Sequence, residues 1–424
     1  MSPLLVDSEA VLADLRELAD QSGGRFAGAK RLAWSPDWLA ARDWLRRKLS
    51  ELALAAEEDA AGNLWAQLDG VGRGGFVVVG SHLDAVPSGG WLDGALGVLT
   101  ALGTMRALAA TDARPPVAVR FVDWADEEGA RFGRSLIGSS ACAGTLDPDD
   151  VRNLTDAEGT RLQDAMSACG VDLDAAPSAA ERLKGALAYL ELHIEQGPVL
   201  LDSGRLAAPV SGTFGDERHL ITFTGQAAHA GSTPMHLRRD TLAAAAQASL
   251  EIREIGIRHG GVCTVGQMKS TPGVITTVAG KTEMQLDQRH LDPDTLATML
   301  SDAVVACATA AEQFDCKVAV HRVLRAAPTQ FDPRLVELAR EAVAQAGGDD
   351  GEAIPSGALH DATEIGRMVP TVMLFAQSDP PISHTEVEDS PEQALRVAIE
   401  AYGRTVGQVL ALAANGQLTA TKVT

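Results

Sequence analysis

A chain of 424 residues with 46% hydrophobic and 22% charged residues sits at the globular average, which excludes a disordered protein and predicts two domains. Thirty-six Lys and Arg against 57 Asp and Glu leave a net charge of −21, a poor match for nucleic acid or an anionic membrane. No run reaches ~18 apolar residues, the N-terminal Met1–Glu9 lacks a basic stretch and an apolar core, and the five cysteines include no C-x-x-C pair, so a reduced, cytoplasmic protein without membrane span, signal peptide, disulfides or thiolate zinc site is expected.

Ser35-Pro36-Asp37 reads as a helix start, with a capping hydroxyl, Pro at the first position and an acid in the first turn. Trp38, Ala41, Leu45, Leu49 and Leu52 then recur at helical spacing. Phe76–Val79 is a continuous apolar run closed by Gly80, the pattern of a buried parallel strand. A helix from about Gly94 to Ala109, a strand at Val117–Val122, a polar helical insertion over 146–185 and a strand at Tyr189–Ile194 follow. From Leu220 the rhythm changes to strand Leu220–Thr224, helix Arg238–Ile255, strands Val262–Met268 and Thr282–Asp287, helix Pro293–Gln313 and strand Lys317–Val323. That β-α-β-β-α-β order is the order of a ferredoxin-like α+β sandwich. Helix Pro333–Ala346, strand Pro370–Phe375 and helix Pro391–Ala413 return to the α/β style, and Asn415–Thr424 is expected to fray. The simplest architecture is an α/β domain over 1–211 and 328–424, interrupted by an α+β domain over 212–327.

Chemistry-bearing residues gather at predicted strand ends, where ligands of open α/β sheets bind. His82 and Asp84 end the first strand in Gly80-Ser81-His82-Leu83-Asp84, and Asp93 opens the next helix. These are ligand types of a hard or borderline divalent metal, although Asp93 could equally cap the helix and His82 could pack as a core histidine. Glu127 and Glu128 follow strand Val117–Val122 and point in different directions, so that one could bind metal while the other serves as base. A solvated acidic loop is the alternative. His193 closes a third strand and His384 follows a fourth by a loop. Four such coincidences at one sheet edge are hard to assign to packing.

Together these residues resemble the hydantoinase/carbamoylase-type amidases. The resemblance rests on Gly80-Ser-His-Leu-Asp84, on Glu127-Glu128-Gly129 with Arg131-Phe-Gly-Arg-Ser135, and on His193-Ile-Glu-Gln-Gly-Pro198. It continues in His229-Ala-Gly-Ser-Thr-Pro-Met235 with Arg239-Asp240, and in Ser356-Gly357-Ala358 with His360-Asp361-Ala362. It runs from about Arg31 to Glu388 and covers N-carbamoyl-L-amino-acid hydrolases, allantoate amidohydrolases and bacterial β-ureidopropionases, within the dinuclear-metal aminopeptidase and deacylase superfamily.

The resemblance implies a metallo-aminopeptidase-like central mixed sheet flanked by helices, with the inserted domain serving as lid and dimerisation domain. It implies two divalent metal ions per chain, zinc or else manganese, cobalt or nickel. His82 and His193 would hold one, Glu128 and His384 the other, with Asp93 between them. Glu127 would be the general base, and Asp84 would orient His82. His229 would stabilise the oxyanion in the site of a partner subunit, so a homodimer is expected. Gln196, Arg289 and the pocket residue His360 would bind a small carboxylate-bearing substrate. The chain departs from the family pattern at Pro381, where the family has Gly, over Gly215–Arg218, and at two substrate-binding positions. Thr276 stands where the family has a substrate-binding Asn, and Leu359 where it has Gly. The expected activity is hydrolysis of the ureido C–N bond of an N-carbamoyl-L-amino acid. Allantoate, N-carbamoyl-β-alanine or another N-acyl or ureido acid is the alternative substrate. A catalytically inactive homologue and an aminopeptidase are the rival readings; the intact Glu127 argues against the first, and Arg289 with the Arg131–Ser135 motif against the second.

Overall fold

The computed structural model describes residues 3–72, 74–111 and 113–418. The chain divides into two compact units, one formed by Met1–Gly212 with Phe331–Thr424 and the other by Thr213–Gln330.

The first unit is built on a mixed sheet. From one edge its main strands are Ala56–Glu58, Leu64–Leu68, Ala118–Trp124, Phe76–His82, Ala186–Ile194, Thr371–Ala376 and Ala207–Thr213, with the short Ile354–Ser356 paired to the last. The four strands Ala118–Trp124, Phe76–His82, Ala186–Ile194 and Thr371–Ala376 are mutually parallel, while the flanking strands run antiparallel. All seven residues of Phe76–His82 are buried, which is why the sequence reads as an uninterrupted apolar run. Helices Ser8–Gln21, Pro36–Ser50, Ala95–Ala109, Pro333–Gln345 and Glu392–Ala414 contribute to the core on one side of the sheet. A second apolar cluster, with Trp34, Trp65, Trp124 and Phe375, joins the sheet to the 146–185 segment. That segment forms the short helices Pro148–Val151 and Leu162–Ala168 and the 3-10 turn Ala176–Leu183.

Helix Pro36–Ser50 starts as its sequence predicts: the Ser35 hydroxyl accepts from the Trp38 N–H at 3.3 Å. Helix Ala95–Ala109 can lie close on the sheet because position 97 is glycine; a Cβ there would sit 2.2 Å from the Leu192 carbonyl oxygen. Arg42 and Asp123 form a buried ion pair at 2.7 Å that ties helix Pro36–Ser50 to a strand end.

The second unit has the antiparallel strand order Lys317–Ala326, Gly215–Thr224, Lys281–His290, Val262–Thr271. Helices Thr241–His259 and Pro293–Gln313 cover one face through Ile221, Phe223, Met284 and Leu286. Several bounds differ from the sequence expectation. The strand expected at Leu220 already begins at Gly215, because Asp216, Glu217 and His219 are buried despite their polarity. The helix expected at Arg238 begins at Thr241, where the Asp240 carboxylate caps it. At the C-terminus the last helix ends at Ala414, and of the stretch expected to fray, residues 419–424 lie outside the described residues. All five cysteines are free. No helix among the described residues is long and apolar enough to cross a membrane.

Candidate metal and active site

The four parallel strands end together, so their carboxyl ends deliver side chains to one edge of the sheet. His82 closes the first strand, Glu127 and Glu128 lie three and four residues beyond Trp124, His193 is the penultimate residue of its strand, and His384 lies on the loop after Ala376. Asp93 precedes helix Ala95–Ala109 by two residues. Its Oδ1 lies 3.1 Å from His193 Nε2 and 3.9 Å from His82 Nε2. Its Oδ2 lies 3.6 Å from His384 Nε2, and that nitrogen is 3.4 Å from Glu128 Oε2. Two groups that could hold a metal therefore share Asp93: His82–Asp93–His193 and Asp93–Glu128–His384.

The donor atoms fit a metal on their own hydrogen bonding. His82 Nδ1 pairs with the Asp84 carbonyl at 3.1 Å, and His193 Nδ1 with the Ile194 carbonyl at 2.9 Å. A neutral ring that donates from Nδ1 presents the Nε2 lone pair, and both Nε2 atoms are buried without a hydrogen-bond partner, as is Glu128 Oε1. Unpaired buried polar atoms are costly, and a cation in each group would satisfy them. A third group, Glu191–His193–His360, is less suited. The Glu191 oxygens already accept from Ser81 at 2.8 Å, Tyr189 at 3.1 Å and the Ala362 N–H at 3.0 Å.

Asp84 acts on His82 chiefly through its main chain, with its carboxylate 3.6 Å from His82 Nδ1. That carboxylate instead accepts the N–H groups of Glu127 and Glu128, each at 3.1 Å, and so fixes the turn that carries them. Glu127 is buried with Oε2 3.7 Å from His82 Nε2, and it belongs to neither ligand group. Burial pushes its carboxyl well above the usual range, with His82 opposing. Burial and the Asp93 charge push Glu128 up to about 9. Burial would raise Asp93 too, but the nearby His193, with the charges of His82 and His384, outweighs it and holds Asp93 low. Burial would lower His82 and His193; the Glu127 charge and Asp84 lift the first well up, and Asp93 lifts the second. The site carries an excess of negative charge that asks for cations.

Gln196 Nε2 donates to Asp93 Oδ2 at 3.0 Å and to Ser383 Oγ at 3.1 Å. Gln196 and His384 both hold positive φ, at 61° and 59°, a strained state that the surrounding bonds maintain. His360 is buried, with its ring centroid 4.4 Å from that of His193 and Nε2 paired to Ser356 Oγ at 3.1 Å, so it props a candidate ligand. Burial and His193 hold it neutral, with its pKa far below the usual value. Leu359 beside it is 45% exposed. Gly94 touches the site by its lack of a side chain: at φ 63° a Cβ would lie 2.4 Å from His82 Cε1.

His229, Thr276 and Arg289 belong to the second unit. His229 is exposed, and its Nδ1 accepts the N–H groups of Gly231 and Ser232, both at 3.1 Å. Its proton is therefore on Nε2, which makes the free edge of the ring a donor. Thr276 lies next to it, its carbonyl accepting the Ala230 N–H at 2.8 Å. Arg289 is braced by Asp287, with contacts of 2.9 and 3.2 Å, and faces Asp216 at 3.9 Å. Sequence reasoning did not single out Ser383 and Glu388. The Ser383 hydroxyl bonds to Glu388, which also accepts the His384 N–H at 3.3 Å and shapes that loop. Only the loop's folded path brings these two residues to the ligands.

Residues 78–408 match the model of peptidase family M20/M25/M40. The chain is 36% identical to an N-carbamoyl-L-amino acid amidohydrolase of Geobacillus stearothermophilus, over 96% of this chain and 99% of that protein. It is 33% identical to an allantoate amidohydrolase of Escherichia coli strain K12, over 91% and 94% of the two chains. A hydantoinase/carbamoylase family amidase from Burkholderia ambifaria superposes with a TM-score of 0.85 at 33% identity, over 97% and 98%. Members of this family are metal-dependent, and the groups described above can hold such an ion. The chain belongs to this peptidase family, alongside its hydantoinase/carbamoylase-type amidases, and is an amidohydrolase.

Proposed function

We propose that the chain hydrolyses the ureido C–N bond of an N-carbamoyl-L-amino acid, giving the amino acid, carbon dioxide and ammonia. The observation that carries this reading is the pair of ligand groups sharing Asp93, with Glu127 beside them and outside both. The likeness to the Geobacillus enzyme over nearly the whole chain supports the carbamoyl substrate. The likeness to the Escherichia coli enzyme supports allantoate as the second reading.

In this reading His82 and His193 would hold one divalent ion, Glu128 and His384 a second, and Asp93 would serve both. Such ions, when bound, lower the pKa of water and polarise a carbonyl. Glu127 takes the proton of the attacking water and later gives it to the leaving nitrogen. The His229 Nε2–H donates to the oxygen on which negative charge develops. Gln196 and His360 keep Asp93 and His193 in place, and Thr276 and Leu359 are each substrate-binding positions at which the chain departs from the family pattern. Arg289, already braced by Asp287, offers its fork to the substrate carboxylate. Residues 1–211 and 328–424 form the catalytic domain, and 212–327 the lid and dimerisation domain.

The test is ammonia release by metal-reconstituted protein on N-carbamoyl-L-amino acids, allantoate and N-carbamoyl-β-alanine. An N-carbamoyl-L-amino acid should give the highest kcat/KM. Arg289→Ala should lower it roughly 30- to 5000-fold, the equivalent of the ~2–5 kcal/mol lost with one partner of a buried charge pair. Equal turnover of an uncharged ureido amide removes the carboxylate clamp, and no ammonia from any of these acids removes the reading.

The exposed His229 donor supports action in trans, in a homodimer. Mixing inactive His229→Ala and Glu127→Gln proteins should then restore about a quarter of wild-type activity after random exchange. Half the dimers are then mixed, and each mixed dimer has one whole site of two. No recovery after verified subunit exchange places His229 in its own chain's site or outside catalysis.

A further inference from the structure

We propose that Arg31 is a positioning residue for the ligand group His82–Asp93–His193, holding the backbone that carries His82 and Asp93 in its metal-ready arrangement. The proposal rests on the metal reading above and concerns a residue to which that reading gives no role.

Arg31 is 0% exposed, and its Nε donates to the Leu83 carbonyl at 2.7 Å. Leu83 lies between His82 and Asp84, and its N–H donates to Asp123 Oδ1 at 2.8 Å. Both polar groups of the residue that follows His82 are thus held from outside the strand. The Arg31 carbonyl in turn accepts the Ala85 N–H at 3.1 Å. Two residues earlier, the Ala29 N–H donates to the Gly89 carbonyl at 2.8 Å, on the loop that leads to Asp93. Gly28 allows this approach, since a Cβ there would lie 2.7 Å from Ser88 Cα. One short stretch, Gly28 to Arg31, therefore grips the chain on both sides of Val86 between two of the three ligands.

Folding stability does not explain the guanidinium. Nη1 donates to the Ser22 hydroxyl at 3.1 Å, while Nη2 has no hydrogen-bond partner. Among the described residues no carboxylate lies within the 4.0 Å of an ion pair with it. A buried cation in that state costs more than an apolar side chain of the same length. What surrounds it at longer range is the site itself: the charges of Asp93, Asp84, Glu388 and Glu128 oppose the burial that pulls its pKa down. Arg stays charged at such a place, where Lys would give up its proton more readily. The fork also holds two different acceptors at fixed angles, which Lys cannot do.

The experiment compares wild type, Arg31→Met and Arg31→Lys, each stripped of metal and titrated with zinc ion alone against a competing chelator. The comparison is repeated in a His384→Ala background, which disables the other ligand group. Thermal melts are taken without metal. Arg31→Met should lower zinc affinity about 10- to 100-fold in both backgrounds, the usual cost of losing an outer partner of a ligand. Its metal-free melting temperature should not fall, because the change removes an unpaired buried charge. Arg31→Lys, which retains one donor, should recover part of the affinity. Wild-type zinc affinity in Arg31→Met overturns the proposal. So does a loss of affinity that comes with a lowered metal-free melting temperature and no recovery in Arg31→Lys, since that is a packing defect. If wild type itself takes up no zinc, the metal reading fails and this proposal with it.

Discussion

Glu127→Gln should keep the fold and the metal but lose ~10²–10⁴-fold in kcat, the usual contribution of a positioned general base. The substitution preserves shape, and the Glu127 N–H bond to Asp84 at 3.1 Å is a main-chain bond that glutamine retains. What disappears is the proton-accepting carboxylate beside His82 Nε2, 3.7 Å away. Burial pushes this carboxyl above the ordinary range and so favours its holding a proton. Glutamine cannot accept the proton at any pH. The measurement is kcat together with metal content on the same preparation. Turnover near wild type would move the base elsewhere, and loss of bound metal would make Glu127 a ligand.

The fold was legible where burial leaves a pattern in the chain. Strand Phe76–His82 is buried on both faces, so apolarity is continuous, and Ser35 caps its helix with a side chain that the sequence displays. Strand Ala207–Thr213, with its Ala, Pro, Ser and Gly, lacks a strand composition and owes its form to antiparallel pairing with Thr371–Ala376. Helix Ser8–Gln21 carries a signal in the Asp7 cap and the buried Val11, Leu15 and Leu18, and is absent from the elements expected from the sequence.

In the site, His82, Glu127, Glu128 and His193 were visible because each follows an apolar run. His384 stands on an irregular loop, and its sequence signal is weaker, resting on its place after strand Pro370–Phe375 together with the resemblance. Arg31, Ser383 and Glu388 act through bonds to residues distant in sequence or through the loop's folded path, which no local pattern encodes. The sequence reading expects Asp84 to orient His82. The structure divides its work, giving His82 the carbonyl and the Glu127–Glu128 turn the carboxylate.

Asp93→Asn should have the largest effect on metal binding, because both ligand groups include this one side chain. Each ion-binding step should weaken by more than the ~10–100-fold that loss of an outer partner costs, and activity should fall with it. Asparagine keeps the size of the side chain and one oxygen. It loses the charge that answers His82 and His193 on one side and His384 on the other. Its amide nitrogen would also face an imidazole Nε2 or the Gln196 amide, which donates to Asp93 Oδ2 at 3.0 Å. In the first case it would occupy a lone pair that the metal requires, and in the second it would set donor against donor. His384→Ala, by contrast, should weaken only the step that involves Glu128. Zinc titration of the metal-free proteins separates these outcomes. If Asp93→Asn binds two ions with wild-type affinity, Asp93 serves only as an acceptor for Gln196 and a charge beside His193. If His384→Ala abolishes both steps, the two groups are a single site and one ion is the stoichiometry.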